Sequence, residues 1–167
     1  MTCMSVVEPL PVYAYPDVVA AGRDGDGGPE ADPPAALSRA GALTGLRVLL
    51  VEDDGDALEL LTLALEGRGA KVTACSDARQ ALAVPGSFDV IVSDIGMPEM
   101  DGYTFMRRVR TRDAHADIPS LALTAYARAE DRERALRAGY QEHLTKPIDL
   151  PKLVAAISRW ARRRDPT

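Results

Sequence analysis

FDVIVSDIGMPEMDG, running from Phe88 to Gly102, decides how this chain folds. It opens on an aliphatic run of the kind that fills a strand buried on both faces. It then passes through Ser93 and Asp94, turns at Gly96-Met97-Pro98 and again at Asp101-Gly102, and enters a stretch with Phe105, Met106 and Val109 at helical spacing. A strand, a turn and a helix in that order make half of a βαβ unit. An acid at the carboxyl end of such a strand stands where an open α/β sheet binds its ligands.

The same unit recurs on both sides. Upstream, RVLLV (Arg47 to Val51) reads as a strand and leads into a helix with Ala57, Leu58, Leu61, Ala64 and Leu65 on one stripe, ended by Gly67 and Gly69. KVTAC follows as a second strand, with Ser76 or Asp77 capping the helix ARQALAV. Downstream, IPSLALT begins beside Pro119, where a missing backbone donor is tolerable, and a helix from Arg128 to Ala138 stops at Gly139. QEHLT forms a fifth strand, and a last helix from about Leu150 carries Leu153, Val154, Ile157 and Trp160 at core spacing. Five βα units predict an α/β domain around a parallel sheet.

The unit count covers residues 46–167. Residues 1–45 differ: they hold six of the twelve prolines, six of the thirteen glycines, and a net charge of -4 out of the chain's -5. The run Gly22 to Pro34 cannot bury enough apolar surface to offset its ordering entropy, which predicts a disordered acidic tail or linker. The whole chain has 167 residues, 46% hydrophobic and 27% charged, enough for one domain with a sizeable core. No apolar run nears the roughly 20 residues of a membrane helix, and no secretory signal pattern opens the chain. Cys3 and Cys75 form neither a disulfide framework nor a zinc cluster, which agrees with a cytoplasmic protein and leaves any metal to oxygen ligands. The acidic balance argues against direct nucleic-acid binding.

The residues that end each strand carry the chemistry. Glu52, Asp53 and Asp54 follow the first, Asp94 the third, Thr124 the fourth and Lys146 the fifth. Carboxylates gathered on one sheet edge repel each other unless a hard cation joins them, and magnesium takes such ligands. A lysine and a hydroxyl complete a set suited to phosphoryl transfer, where positioning and electrostatic stabilisation do the catalysis. The set holds neither histidine nor cysteine, so the nucleophile is a carboxylate. Each residue alone has a bland reading as a cap, a turn or a solvated charge; the set of four strand ends does not.

LLVEDD, VIVSDIGMPEMDG, ALTAYA and HLTKP, in that order, resemble the motifs of the receiver domains of two-component response regulators, chemotaxis regulators among them. The resemblance spans Leu46 to about Arg162, and the intervals of 30 residues from Asp94 to Thr124 and 22 from Thr124 to Lys146 fit it. It implies a doubly wound, flavodoxin-like sheet of order 2-1-3-4-5 with helices on both faces. It also implies that Asp94 is the phosphoacceptor, supplied by a phosphohistidine on a sensor histidine kinase or a histidine phosphotransfer protein. Glu52, Asp53, Asp94 and the backbone carbonyl of Gly96 would hold Mg2+, with Asp54 opening the first helix instead. Lys146 would pair with Asp94 at rest and Thr124 would donate to a phosphoryl oxygen.

In the family, the strand-four hydroxyl and an aromatic residue three positions before the lysine form the switch that remodels the face of helix four, strand five and helix five. Here they are Thr124 and His143, a histidine in place of the commoner Tyr or Phe. Output is expected through protein contacts on that face, with no fused DNA-binding domain; the entry and exit motifs also resemble receivers of hybrid sensor kinases. The chain is expected to be a signalling domain and not an enzyme. His115 is expected to be exposed and uninvolved. A haloacid-dehalogenase-like phosphatase fits less well, because Gly96 stands where that family needs a second Asp. A receiver-like module that is never phosphorylated would have no need of the clustered carboxylates.

Overall fold

The computed structural model describes residues 41–163 except 113 and 127, so the expected tail lies outside the described residues apart from 41–45. Strands β1 (Arg47–Val51), β2 (Lys71–Cys75), β3 (Val90–Asp94), β4 (Ser120–Thr124) and β5 (Glu142–Thr145) alternate with helices α1 (Gly55–Glu66), α2 (Ala78–Ala83), α3 (Gly102–Arg110), α4 (Ala129–Ala138) and α5 (Leu150–Arg162). All four pairings are parallel and the order is β2-β1-β3-β4-β5, the doubly wound arrangement expected.

The alternation of side chains across each strand divides the core in two. Leu49, Val51, Ile91 and Ala122 meet Phe105 and Met106 of α3, with Ala135 and Ala138 of α4, on one face. Val48, Leu50, Val90, Val92, Leu121 and Leu123 meet Leu61 and Leu65 of α1 and Leu153 and Ile157 of α5 on the other. β3 and β4 are buried at every position, which is why their sequences read as unbroken apolar runs with polar residues only at the ends.

Helix starts follow local chemistry. Asp54, Asp77, Asp101 and Asp149 each accept a hydrogen bond from the backbone N–H three residues on, at 2.7–3.1 Å. Each such cap contributes about 1 kcal/mol. Asp54 thus opens α1, as the sequence implied. Arg128 at the start of α4 makes no side-chain cap.

Two expectations are corrected. Leu43 is fully buried, and its N–H donates to the Arg68 carbonyl at 2.9 Å, so the folded unit takes in residues upstream of Leu46. His115 is buried: its Nε2 lies 3.0 Å from the Gly86 carbonyl oxygen, and its ring packs tilted against Phe88. Among the described residues no helix is long and apolar enough to cross a membrane.

Candidate phosphoryl-transfer site

The carboxyl ends of β1, β3, β4 and β5 open onto one cleft of about 270 Å³, lined by Glu52, Asp53, Asp94, Gly96, Thr124 and Lys146 among others. Parallel pairing dictates this convergence, since it puts every strand's last residue on the same edge. Six residues singled out from the sequence therefore meet here. Asp54 also lines the cleft while capping α1. Beside Thr124, Tyr126 is 65% exposed.

Glu52 leaves β1 with its N–H bonded to the Cys75 carbonyl and its side chain almost wholly buried. Asp94, the last residue of β3, is nearly as buried. Asp53 is exposed, and one ligand oxygen from each of the three lies within 4.8 Å of the others. Burial raises the pKa of the Glu52 carboxyl, with its hydrogen bond to Lys146 opposing that rise and the charge of Asp94 adding to it. Asp94 is raised as well, again by burial first, against Lys146 and the N–H of Gly96, which bonds its carboxylate; Asp53 pushes it further up. Lys146 half-emerges between them, Nζ at 2.8 Å from Glu52 Oε2 and 3.2 Å from Asp94 Oδ1. Burial works against its charge, but the hydrogen bond to Glu52 and the charges of Asp94 and Glu52 outweigh it, and its pKa rises.

The Lys146–Asp94 pair expected from the sequence is present, yet the closer partner is Glu52. Nothing in the sequence ranks the two, because both contacts join residues far apart in the chain. One lysine faces three carboxylates, two of them buried and held toward protonation. That donor set suits a hard divalent cation such as Mg2+, which binds through carboxylate oxygens and retains several waters.

Thr124 ends β4, and its hydroxyl oxygen accepts from the Tyr126 N–H at 3.0 Å while donating to the Tyr126 carbonyl at 3.3 Å. This turn occupies the hydroxyl with its own loop. The Thr124 carbonyl accepts from the Lys146 N–H at 2.7 Å, which ties the two strand ends together. His143 stands elsewhere. Paired with Ala122 in the middle of β5, it borders a separate cavity of about 230 Å³ against Arg132, Ala135 and Leu136 of α4.

A model of the response regulator receiver domain matches residues 48–158. The uncharacterized 14.6 kDa protein in the sodA1 3' region of Leptolyngbya boryana is 42% identical over 120 residues, 71% of this chain and 92% of that protein. The DNA-binding dual master transcriptional regulator RpaA of Synechocystis is 36% identical over 121 residues, 71% of this chain and 50% of its own length. This chain thus spans about half of that regulator, and 54% of the mycobacterial transcriptional regulatory protein PrrA. Among solved structures, the chemotaxis response regulator CheY4 of Vibrio cholerae superposes with a TM-score of 0.66 at 31% identity, over 70% of this chain and 99% of that one. The receiver domain of the sensor histidine kinase PA1611 from Pseudomonas aeruginosa, solved with a magnesium ion coordinated in its active site cleft, gives 0.65 at 33% identity over 71% and 99%.

Proposed function

This chain belongs to the response regulator receiver domain family, and from that premise we propose that Asp94 accepts a phosphoryl group from a phosphohistidine of a sensor histidine kinase or histidine phosphotransfer protein. The observation that carries the reading is the single cleft in which Asp94, Thr124 and Lys146 stand beside the Glu52, Asp53 and Asp94 cluster. A carboxylate oxygen of Asp94 attacks phosphorus, the P–N bond breaks, and the imidazole nitrogen departs with the bonding pair. The product is an acyl phosphate.

Each neighbour has a task in that step. The nucleophile must be ionised, and burial resists this; Lys146 and the Gly96 N–H favour the anion. Glu52, Asp53, Asp94 and the Gly96 carbonyl would hold Mg2+, which when bound supplies charge neutralisation for the transferred oxygens. Lys146 meets a phosphoryl oxygen as a point charge. Thr124 gives up its turn with Tyr126 to donate to another oxygen, so the loop after β4 moves with it. His143 takes up the change on β5, beside the α4 cavity, and the α4, β5 and α5 face carries the output to a protein target. The chain acts in the cytoplasm as a signalling domain whose chemistry is confined to its own phosphotransfer and dephosphorylation, with no nucleic-acid or membrane contact of its own.

Incubation with MgCl2 and acetyl phosphate tests this by intact mass. One added phosphoryl group, lost in Asp94→Asn, is the expected result. No modification overturns the reading, and steady release of phosphate from assorted phosphoesters favours a phosphatase.

A further inference from the structure

Tyr140 is the largest fully buried side chain of the domain, and the phosphoryl-transfer step uses it for nothing. It lies between Gly139, the left-handed cap of α4, and the start of β5. Its hydroxyl donates to the Gly102 carbonyl at 2.8 Å, 38 residues back along the chain. Gly102 is the first residue of α3 and the last of the loop that begins at Asp94.

Gly102 has no slack of its own. Its N–H donates to the Ile95 carbonyl at 2.9 Å, and a Cβ there would stand 2.5 Å from the Asp94 carbonyl oxygen. The backbone of Gly102 therefore packs directly on that of Asp94 and Ile95. Ser93 donates to the Asp94 carbonyl at 2.9 Å, and the Tyr140 phenol lies close enough to feel both the Ser93 hydroxyl and the charge of Asp94. From the turn between α4 and β5, the tyrosine thus grips the loop that follows Asp94 and carries Gly96.

The neighbours of Tyr140 make this grip rigid. Arg110, at the far end of α3, donates to the Gly139 carbonyl from both Nε and a terminal nitrogen, and to Gln141 Oε1. Residues 139–141 are thereby fastened to both ends of α3. The phenol O–H donates to a backbone carbonyl of the site loop, so Tyr140 does more than fill space.

We propose that Tyr140 is a positioning residue for the phosphoryl-transfer site: its hydroxyl fixes the Asp94 to Gly102 loop so that the Asp94 carboxylate and the Gly96 carbonyl are preorganised for the divalent cation. This rests on the reading of the cleft given above. Tyr140→Phe keeps the ring and the core and removes only the hydroxyl. Losing one neutral hydrogen bond that holds a binding geometry weakens the bound state by about threefold to tenfold.

The experiment titrates the full chain with MgCl2 and follows the amide resonances of Asp53 and Gly96, beside thermal unfolding without magnesium. Tyr140→Phe is expected to weaken Mg2+ binding by about fivefold and to speed amide exchange at Gly96. Val109→Ala, a buried α3 change away from the loop, is expected to lower the melting temperature and leave Mg2+ affinity unchanged. Equal affinity in wild type and Tyr140→Phe overturns the positioning role while leaving the cleft's function intact. Equal loss in Val109→Ala also overturns it, by making the effect a general loosening. A wild-type chain that neither binds Mg2+ nor takes a phosphoryl group overturns both.

Discussion

Lys146 is outnumbered, and the consequence is a pH dependence opposite to that of an ordinary surface carboxylate. Burial raises the folded pKa of Glu52 and Asp94 above its unfolded value. Such groups contribute stability that is fully present below the unfolded carboxylate range and lost as pH rises through the folded pKa. The metal-free protein is therefore expected to gain stability at this cluster as pH falls from neutrality toward the ordinary carboxylate range, measured by urea unfolding. Lys146, raised in turn, keeps its contribution until pH climbs above the ordinary lysine range. Asp94→Asn removes a charge from the crowd and is expected to raise the urea midpoint of the metal-free protein. Lys146→Met leaves two buried carboxylates unpaired and is expected to cost about 1–3 kcal/mol. Mg2+ at tenfold its dissociation constant should add about 1.4 kcal/mol to the wild type, and this gain should vanish in Asp53→Asn. A wild-type midpoint unmoved by saturating MgCl2 would sink the account.

At the scale of elements, α3 is the part that cannot be shifted. It starts on Gly102, wedged against Asp94, and ends on Arg110, whose guanidinium donates to carbonyls of Gly139, His115, Ala116 and Ile118 and to the Ser120 hydroxyl. Gly102→Ala pits two effects against each other. Alanine favours a helix over glycine by about 1 kcal/mol, but its methyl would sit far inside contact distance of backbone that has no rotamer to change. The clash wins, and a net loss of about 2–3 kcal/mol is expected in urea unfolding, at the upper end for overpacking. Arg110→Lys keeps the charge and loses the planar fork that spans several carbonyls, and is expected to cost about 2 kcal/mol. What the sequence reveals at this scale follows from range. The aspartate cap at Asp77 is legible because donor and acceptor lie three residues apart. Arg110 and His115 are not, since their partners stand up to 31 residues away and neither has a hydrophobic period to betray it. Leu43 was hidden for the same reason, behind a glycine-rich approach that reads as linker.

Over the whole molecule, one sheet carries both the acid cleft and the His143 cavity, on strands whose backbones are paired. The four strand ends that build the cleft could be read in advance, because parallel topology turns a sequence order into a spatial cluster. The pairing inside the cleft could not: Lys146 lies closer to Glu52, and Thr124 is turned into its own loop. The acid cluster meets the hydroxyl at β4, β4 pairs with β5, and β5 faces α4 across the His143 cavity. α4 is fastened at Gly139 and lacks a side-chain cap at Arg128, so a rearrangement entering through Thr124 meets the less restrained end of the helix. Phosphorylation exchanges the single carboxylate charge of Asp94 for a phosphoryl group of about two negative charges, with three acceptor oxygens next to that hydroxyl. Amide exchange after treatment with acetyl phosphate and MgCl2 is therefore expected to change by about tenfold from Thr124 through the first turn of α4 and along β5, a coupling of about 1.4 kcal/mol. Residues 139–141 and the α1–β2 side should hold their protection, and Asp94→Asn should abolish the change. If protection rises evenly over the domain, the phosphoryl group merely stabilises the fold; if it changes first at Gly139, the hinge sits at the wrong end of α4 and the stapling by Arg110 and Tyr140 is not what directs the switch.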